Sequence, residues 1–434
     1  MPKKVLIITY YWPPAGGIGV VRWVKFVKYI RDCGWEPVIY TVSNGSYPLM
    51  DASIGNDLPE NIQVIKRPIW EPHQWYRFFS ASKNSSGLAD IKPKHRASLV
   101  EKISNWIRGN FFIPYARALW INPSVKYLTT YLKTNPMDAM VSTGPPHSAH
   151  VIALSIKKKT RLPWLADFRD PWTTMDYYKE LLLTAWADRK HHRLELEVLR
   201  SADAVTVVAN GMKNEFEEKS GRKVEVVTNG FDEDDFSSME THPDKQFSIV
   251  HIGTFFSRIN PLTLWQVLAE LKGEGHEMMS DIKIRLMGRV DPSIVDSIRK
   301  AGLEEFLILT STEPHQAAVQ QMKNAQVLLL CIFEQTKFVV TGKLFEYLAS
   351  KRPVFCIGPV DGDAAAILAE TGAGITFSFE NKIGIKQHLI DLYQKFKRGE
   401  LSHIHNNAQK YSHKELVKEI ASQLDQITRH KTQF

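Results

Sequence analysis

Chemistry in this chain is concentrated where apolar runs end. Thr143-Gly144-Pro145-Pro146-His147-Ser148 follows one such run and opens a helical stretch, which aims His147 at a ligand. Asp167-Phe168-Arg169-Asp170-Pro171-Trp172 follows the next. Alternate residues of a strand share a face, so Asp167 and Arg169 point together, with Asp170 at the same end. Earlier, Gly16-Gly17-Ile18-Gly19 precedes a helix, where backbone amides can face an anion or let a substrate approach closely. In the second half, His251-Ile252-Gly253-Thr254 ends a run, and Arg258 sits where a cation can meet a phosphate. Thr341-Gly342-Lys343-Leu344-Phe345-Glu346 then starts a helix with Lys343 and Glu346 one turn apart on one face. Each stretch has a structural alternative: a tight turn, a helix-start histidine bonded to its own turn, an internal Arg–Asp pair, a surface Lys–Glu pair.

The glycine loop is a poor dinucleotide fingerprint. Residues Tyr10 to Ala15 separate it from the strand, Arg22 occupies the third glycine position, and the second strand ends Tyr40-Thr41-Val42-Ser43 without a ribose-binding acid. A dehydrogenase is not expected.

The elements that must hold these residues alternate regularly. Apolar runs at Val5–Thr9, Pro37–Val42, Ile62–Ile65, Ala139–Ser142, Trp164–Phe168, Ala204–Val208 and Val224–Val227 read as buried parallel strands with helices between them. Val21, Val24, Val27 and Ile30 give a helix from Val20 to Cys33, stopped by Gly34. After an acidic, polar stretch the alternation restarts with strands near Ser248–Ile252, Lys283–Met287, Phe306–Leu309, Val327–Ile332, Val354–Ile357 and Gly374–Phe377. A chain of 434 residues is too long for one core. We therefore expect an α/β protein of two Rossmann-like parallel-sheet domains facing a central cleft: residues 1–230, a linker at 231–246, residues 247–412, and a last helix in 413–434 that crosses back.

Hydrophobic residues at 44% and charged residues at 24% describe a globular chain. The net charge of +8 suggests anionic partners, but no Lys/Arg block resembles a nucleic-acid arm, and no nucleic acid is expected. Cys33, Cys331 and Cys356 lack metal-ligand spacing and read as reduced thiols in or near the core. The N-terminus is too short for a signal-peptide core, and no run of about 18 apolar residues follows. A cytoplasmic protein, soluble or peripheral to the membrane, is expected. One region, about 69–132, breaks the alternation: Trp70, Trp75, Tyr76, Phe78, Phe79, Trp106, Phe111, Phe112, Tyr115 and Trp120 are interleaved with Lys92, Lys94, Arg96, Lys102, Arg108 and Arg117. Such a mixture suits a membrane interface, an aromatic acceptor pocket or core packing.

Taken in order, these motifs resemble the family-4-type retaining glycosyltransferases of the GT-B fold, in the branch that serves bacterial surface-polysaccharide synthesis. The carriers are Pro13 to Gly17, Pro145 to Ser148, Asp167 to Trp172, Ala202-Asp203-Ala204-Val205, Asn229-Gly230-Phe231-Asp232, Gly253 to Arg258, and Lys343 to Ala349. The resemblance implies a nucleotide-sugar donor on the C-terminal domain and a glycan or lipid-linked acceptor on the N-terminal one. Arg258 and Lys343 would hold the donor diphosphate, Glu346 the ribose hydroxyls, and Gly16, Gly17 and Gly253 would allow close approach. His147 would lie near the reacting sugar, with Asp167, Arg169 and Asp170 on the acceptor side. The family often pairs two glutamates, and the partner of Glu346 falls on Phe338. With no Asp-x-Asp site, no cofactor and no essential metal are expected. A nucleotide-sugar epimerase or hydrolase of the same fold, and a non-catalytic assembly subunit, are the alternatives.

Overall fold

A computed structural model describes residues 2–70, 99–114, 117–175, 178, 181–237, 239–401 and 407–429. The chain divides into two compact units: Met1–Thr228 with His413–Phe434, and Asn229–Ser412.

In the first unit, seven parallel strands run in the order β3-β2-β1-β4-β5-β6-β7. They are β1 (Lys3–Ile8), β2 (Trp35–Val42), β3 (Gln63–Arg67), β4 (Ala139–Gly144), β5 (Trp164–Phe168), β6 (Ala204–Val207) and β7 (Glu225–Val226). Val5, Leu6, Ile7 and Ile8 are all buried, as expected of a central strand covered on both faces. Between strands run α1 (Ile18–Tyr29), α2 (Leu99–Phe111), α3 (Ile121–Thr134), α4 (Ser148–Thr160), α5 (Ala185–Ser201) and α6 (Asn210–Ser220). The helix expected over Val20–Cys33 begins two residues earlier and tightens into a 3-10 turn at Ile30–Cys33, which Gly34 ends at φ 80°.

The second unit holds six parallel strands in the order β10-β9-β8-β11-β12-β13. These are β8 (Phe247–Ile252), β9 (Ile282–Met287), β10 (Leu307–Thr310), β11 (Val327–Cys331), β12 (Val354–Ile357) and β13 (Gly374–Phe377). Its longer helices are α7 (Leu262–Gly273), α8 (Pro292–Lys300), α9 (His315–Asn324), α10 (Gly342–Ser350), α11 (Asp363–Thr371) and α12 (Lys382–Lys397). Burial pushes the Cys331 and Cys356 thiols up, the latter to about 12, which keeps them protonated and inert.

Two segments join their units through side chains. The last helix, α13 (His413–Arg429), buries Leu416, Val417, Ile420, Ala421, Leu424 and Ile427 in the core around α1. Each fully buried Leu or Ile there contributes about 1.5–3 kcal/mol, so the C-terminal helix is part of the first unit. The polar stretch 231–246, read from its composition as a linker, is tied to the second unit instead. Asp244 forms an ion pair with Arg285 at 3.0 Å, Lys323 Nζ donates to the carbonyls of Phe236 and Met239, and Phe231 pairs with Ser412. The chain passes between units at 228–229 and again at 412–413.

Candidate functional site

In each sheet the strand order reverses beside the first strand, between β1 and β4 and between β8 and β11. Loops leaving the carboxyl ends of such a strand pair diverge, and the gap between them is where doubly wound sheets bind ligands. Gly16, Gly17, His147, Gly253, Arg258 and Lys343 lie on these loops or at the helix starts they lead into, with Glu346 one turn further on; Asp167, Arg169 and Asp170 belong to the end of β5 and the loop after it.

In the first unit, Gly16 donates its N–H to Leu49 O at 2.9 Å, so that amide is spent on the loop itself. Gly17 has φ 102°, a conformation that disfavours any side chain, and it caps α1. The amides of Gly17, Ile18 and Gly19 meet no acceptor among the described residues. A Cβ on Gly19 would fall 1.3 Å from Arg169 Nη1, because the guanidinium lies directly on this first helical turn. Arg169 Nη2 donates to Pro145 O at 2.6 Å, while its buried Nε has no partner among the described residues. A half-buried cation over open helix-start amides is suited to an anion. Asp170, next in the chain, is half-buried, and burial raises its carboxyl.

Two candidates lie elsewhere than expected. Asp167 does not face a ligand and does not pair with Arg169. It is fully buried, and its two oxygens accept from Arg22 Nη2 (2.9 Å), Thr206 Oγ1 (3.0 Å), Trp23 Nε1 (2.8 Å) and Thr143 Oγ1 (3.0 Å). Burial alone would raise this carboxyl, but the charge and hydrogen bond of Arg22, then Trp23, outweigh it and hold it low. The alternation rule places Asp167 and Arg169 on one face; the inward position is claimed by Arg22 because α1 packs against that side of the sheet.

His147 is also wholly buried, stacked 4.8 Å from Trp172 with the rings nearly parallel. The large ring of Trp172 covers it. His150 bonds Ser142 Oγ at 2.8 Å and stacks on Phe168, and His191 receives Trp172 Nε1 at 3.1 Å. Burial pushes all three imidazoles down, His150 to about 3. These groups are held neutral in the folded state and charge near pH 6.5 when unfolded, so their contribution to stability is full above that pH and is lost as pH falls through each lowered folded value, about 3 for His150. His150 alone costs about 1.4 kcal/mol per pH unit between about 6.5 and about 3. Denaturant melts at pH 7.5 and 5.0 should show this loss in the first unit; pH-independent stability over that range would contradict it.

In the second unit, Gly253 leaves β8 at φ 100°, and a Cβ there would sit 3.1 Å from Lys343 Cε. Lys343, in the first turn of α10, lies half-buried with Nζ 3.1 Å from His251 Nε2. Burial lowers its ammonium to about 8, against the opposing pull of nearby Cys331 and Glu346. Arg258 is exposed in a 3-10 turn ahead of α7, its guanidinium over the rings of Phe333 (5.4 Å) and Phe256 (5.5 Å). Phe333 belongs to the loop after β11, so Arg258 spans the two diverging loops. No carboxylate pairs with it among the described residues. Glu346 Oε1 accepts from His315 Nε2 at 2.9 Å. Phe338 is exposed on the loop between β11 and α10, so no carboxylate stands at that position.

Two open parallel sheets, each with its polar loops at a point of strand reversal, define the GT-B fold. Residues 91–235 match the model of Glycosyltransferase Family 4. That match spans β4 to β7, including Pro145 to Ser148 and Asp167 to Trp172. Residues 91–235 are thus similar to that family, and the solved structures share the fold of the whole chain. Among solved structures it is similar to a glycosyltransferase from Rickettsia africae (TM-score 0.62, 14% identity, 98% of each chain). It is also similar to the lipopolysaccharide outer core galactosyltransferase WaaB (TM-score 0.57, 13% identity, covering 98% of this chain and 99% of that one). A third is a putative UDP-N-acetylglucosamine 2-epimerase from Listeria monocytogenes (TM-score 0.56, 11% identity, 100% and 98%). No curated protein matches the sequence significantly.

Proposed function

We propose that this protein is a glycosyltransferase that moves a sugar from a nucleoside-diphosphate sugar to a glycan or lipid-linked acceptor in cell-surface polysaccharide synthesis, retaining the anomeric configuration and requiring no metal. The bond from the anomeric carbon to the diphosphate oxygen breaks, its electrons leave with the diphosphate, and the acceptor oxygen bonds to the carbon as its proton passes to the departing diphosphate oxygen. The observation that carries this reading is Lys343: a cation at the strand-reversal point of the second unit, set against Gly253 and in contact with no carboxylate among the described residues. With Arg258 it supplies the positive charge that a departing diphosphate needs. Glu346 Oε2 serves a ribose hydroxyl. In the first unit, Arg169, Asp170 and the amides from Gly17 onward form the acceptor side, while Asp167 and His147 support it from below.

Mass spectrometry of acceptor products, across a panel of nucleoside-diphosphate sugars, tests the proposal. Sugar transferred to an acceptor supports it. Donor consumed equally well without acceptor would favour the epimerase or hydrolase reading. Phe338 in place of a glutamate favours a further one, a non-catalytic subunit, which would bind donor without turnover.

A lipid-linked acceptor implies a membrane surface. No described helix is long and apolar enough to cross a membrane. However, Ile103, Trp106, Ile107 and Phe111 form an exposed stripe on α2, and Leu182 and Trp186 are exposed on the segment it packs against. Of the rest of the aromatic insertion, Trp70 is exposed while Trp120 and Arg117 are buried, and Trp75, Tyr76, Phe78, Phe79, Lys92, Lys94 and Arg96 lie outside the described residues. Apolar rings of this kind insert at the headgroup level of a bilayer. The protein should float with anionic vesicles at low salt, and the Trp106→Ser/Phe111→Ser double variant should not; failure of the wild-type chain to float removes the membrane contact from this scheme.

A further inference from the structure

His251 was singled out in sequence only as the end of a strand, and the transfer chemistry above assigns it nothing. It is 1% exposed, stacked 4.0 Å from the ring of Phe255, with the Thr254 backbone also facing it. Its Nδ1 lies 3.1 Å from Leu329 O, and its Nε2 lies 3.1 Å from Lys343 Nζ. A carbonyl oxygen only accepts, so Nδ1 carries the ring proton and Nε2 presents a lone pair. The lone pair accepts one of the three Lys343 N–H bonds.

We propose that His251 is the positioning residue of the donor site: it holds the Lys343 ammonium at Gly253 by a neutral acceptor, which leaves the full positive charge for the ligand. A carboxylate in the same place would fix the lysine equally well but neutralise it and repel a diphosphate. An apolar residue would leave a four-carbon chain free to swing. The other ionisable groups facing the amine are Cys331, from β11, and Glu346, on α10 itself. Cys331 is protonated and Glu346 is engaged by His315. Burial, then the Lys343 charge, keeps the His251 imidazole neutral well below its ordinary range.

This inference rests on the reading of Lys343 as a diphosphate contact, and two arms keep the two apart. Binding of inorganic pyrophosphate and of uridine diphosphate to the full chain is measured for wild type, Lys343→Ala, His251→Phe and His251→Gln. Phenylalanine keeps the stacking and removes the acceptor; glutamine restores a neutral acceptor. His251→Phe should weaken binding about tenfold, the scale of one lost hydrogen bond to a charged group, and His251→Gln should recover most of it. If Lys343→Ala leaves binding unchanged, the donor-site reading fails. If Lys343→Ala weakens binding but a folded His251→Phe binds as wild type does, His251 has no positioning role. Nitrogen-15 shifts of the wild-type imidazole provide a readout that requires no variant: a neutral ring protonated at Nδ1 at pH 7 is expected, and an Nε2–H tautomer or a charged ring would overturn the proposal.

Discussion

Lys343→Ala and Arg258→Ala should each lower kcat about a hundred- to a thousandfold, the usual cost of removing one preorganised electrostatic partner from a transition state. Neither change should unfold the protein. Alanine is the best helix former, which suits the start of α10, and Arg258 is solvent-exposed on a loop. Their effect belongs in kcat because negative charge on the diphosphate grows as the sugar bond breaks. Glu346→Ala should instead raise KM, since ribose contacts exist equally in the ground state. The two cations also differ in a way that pH reveals. With burial lowering Lys343 to about 8, its charge is lost as pH rises through that value, and turnover should fall on the alkaline side. Lys343→Arg keeps the charge and should abolish that limb. Steady-state rates from pH 6 to 9.5 check this; near-normal rates in both alanine variants would place the donor elsewhere.

Asp167→Ala should be the most destabilising of the site substitutions, by about 3–5 kcal/mol, because it strands the fully buried Arg22 charge. Arg22 also donates to the carbonyls of Val227 and Thr228, so the carboxylate links α1, β4, β5 and β6 to the point where the chain leaves the first unit. The loss should appear as reduced hydrogen-exchange protection in α1 and β5 and an earlier denaturant midpoint. A drop below about 1 kcal/mol, the range of an exposed ion pair, would mean the network is not a stabilising core.

The fold was legible because each of the thirteen described strands overlaps an expected run in a parallel α/β rhythm, although edge strands such as β3 and β7 are only partly apolar and not fully buried. Buried strands need such runs on both faces, and that requirement is local. The places of Arg258 and Lys343 were legible for a related reason: both follow strands at the carboxyl edge of the second sheet. What the sequence hid is pairing across the sheet. Asp167 and Arg169 sit two residues apart and suggest a pair, yet the partner of Asp167 is Arg22, 145 residues away. Arg22 was visible only as the wrong residue in a glycine fingerprint. An arginine among the apolar residues Val20, Val21, Trp23 and Val24 was the available signal of a buried charge. His147 followed a strand at the right edge, but nothing local announced that Trp172 would cover it. The stretch 231–246 looked like a linker because polar residues mark both linkers and segments held by hydrogen bonds; its contacts with Arg285, Gln320, Lys323, Asn324 and Gln326 distinguish the two.

The central claim, that the second unit holds the donor diphosphate at Lys343, is tested most directly by a crystal structure of the protein with a bound nucleoside diphosphate. Phosphate oxygens should lie within hydrogen-bonding distance of Lys343 Nζ, beside Gly253, with the Arg258 guanidinium turned toward them. A diphosphate bound away from Lys343 and Gly253 would contradict it.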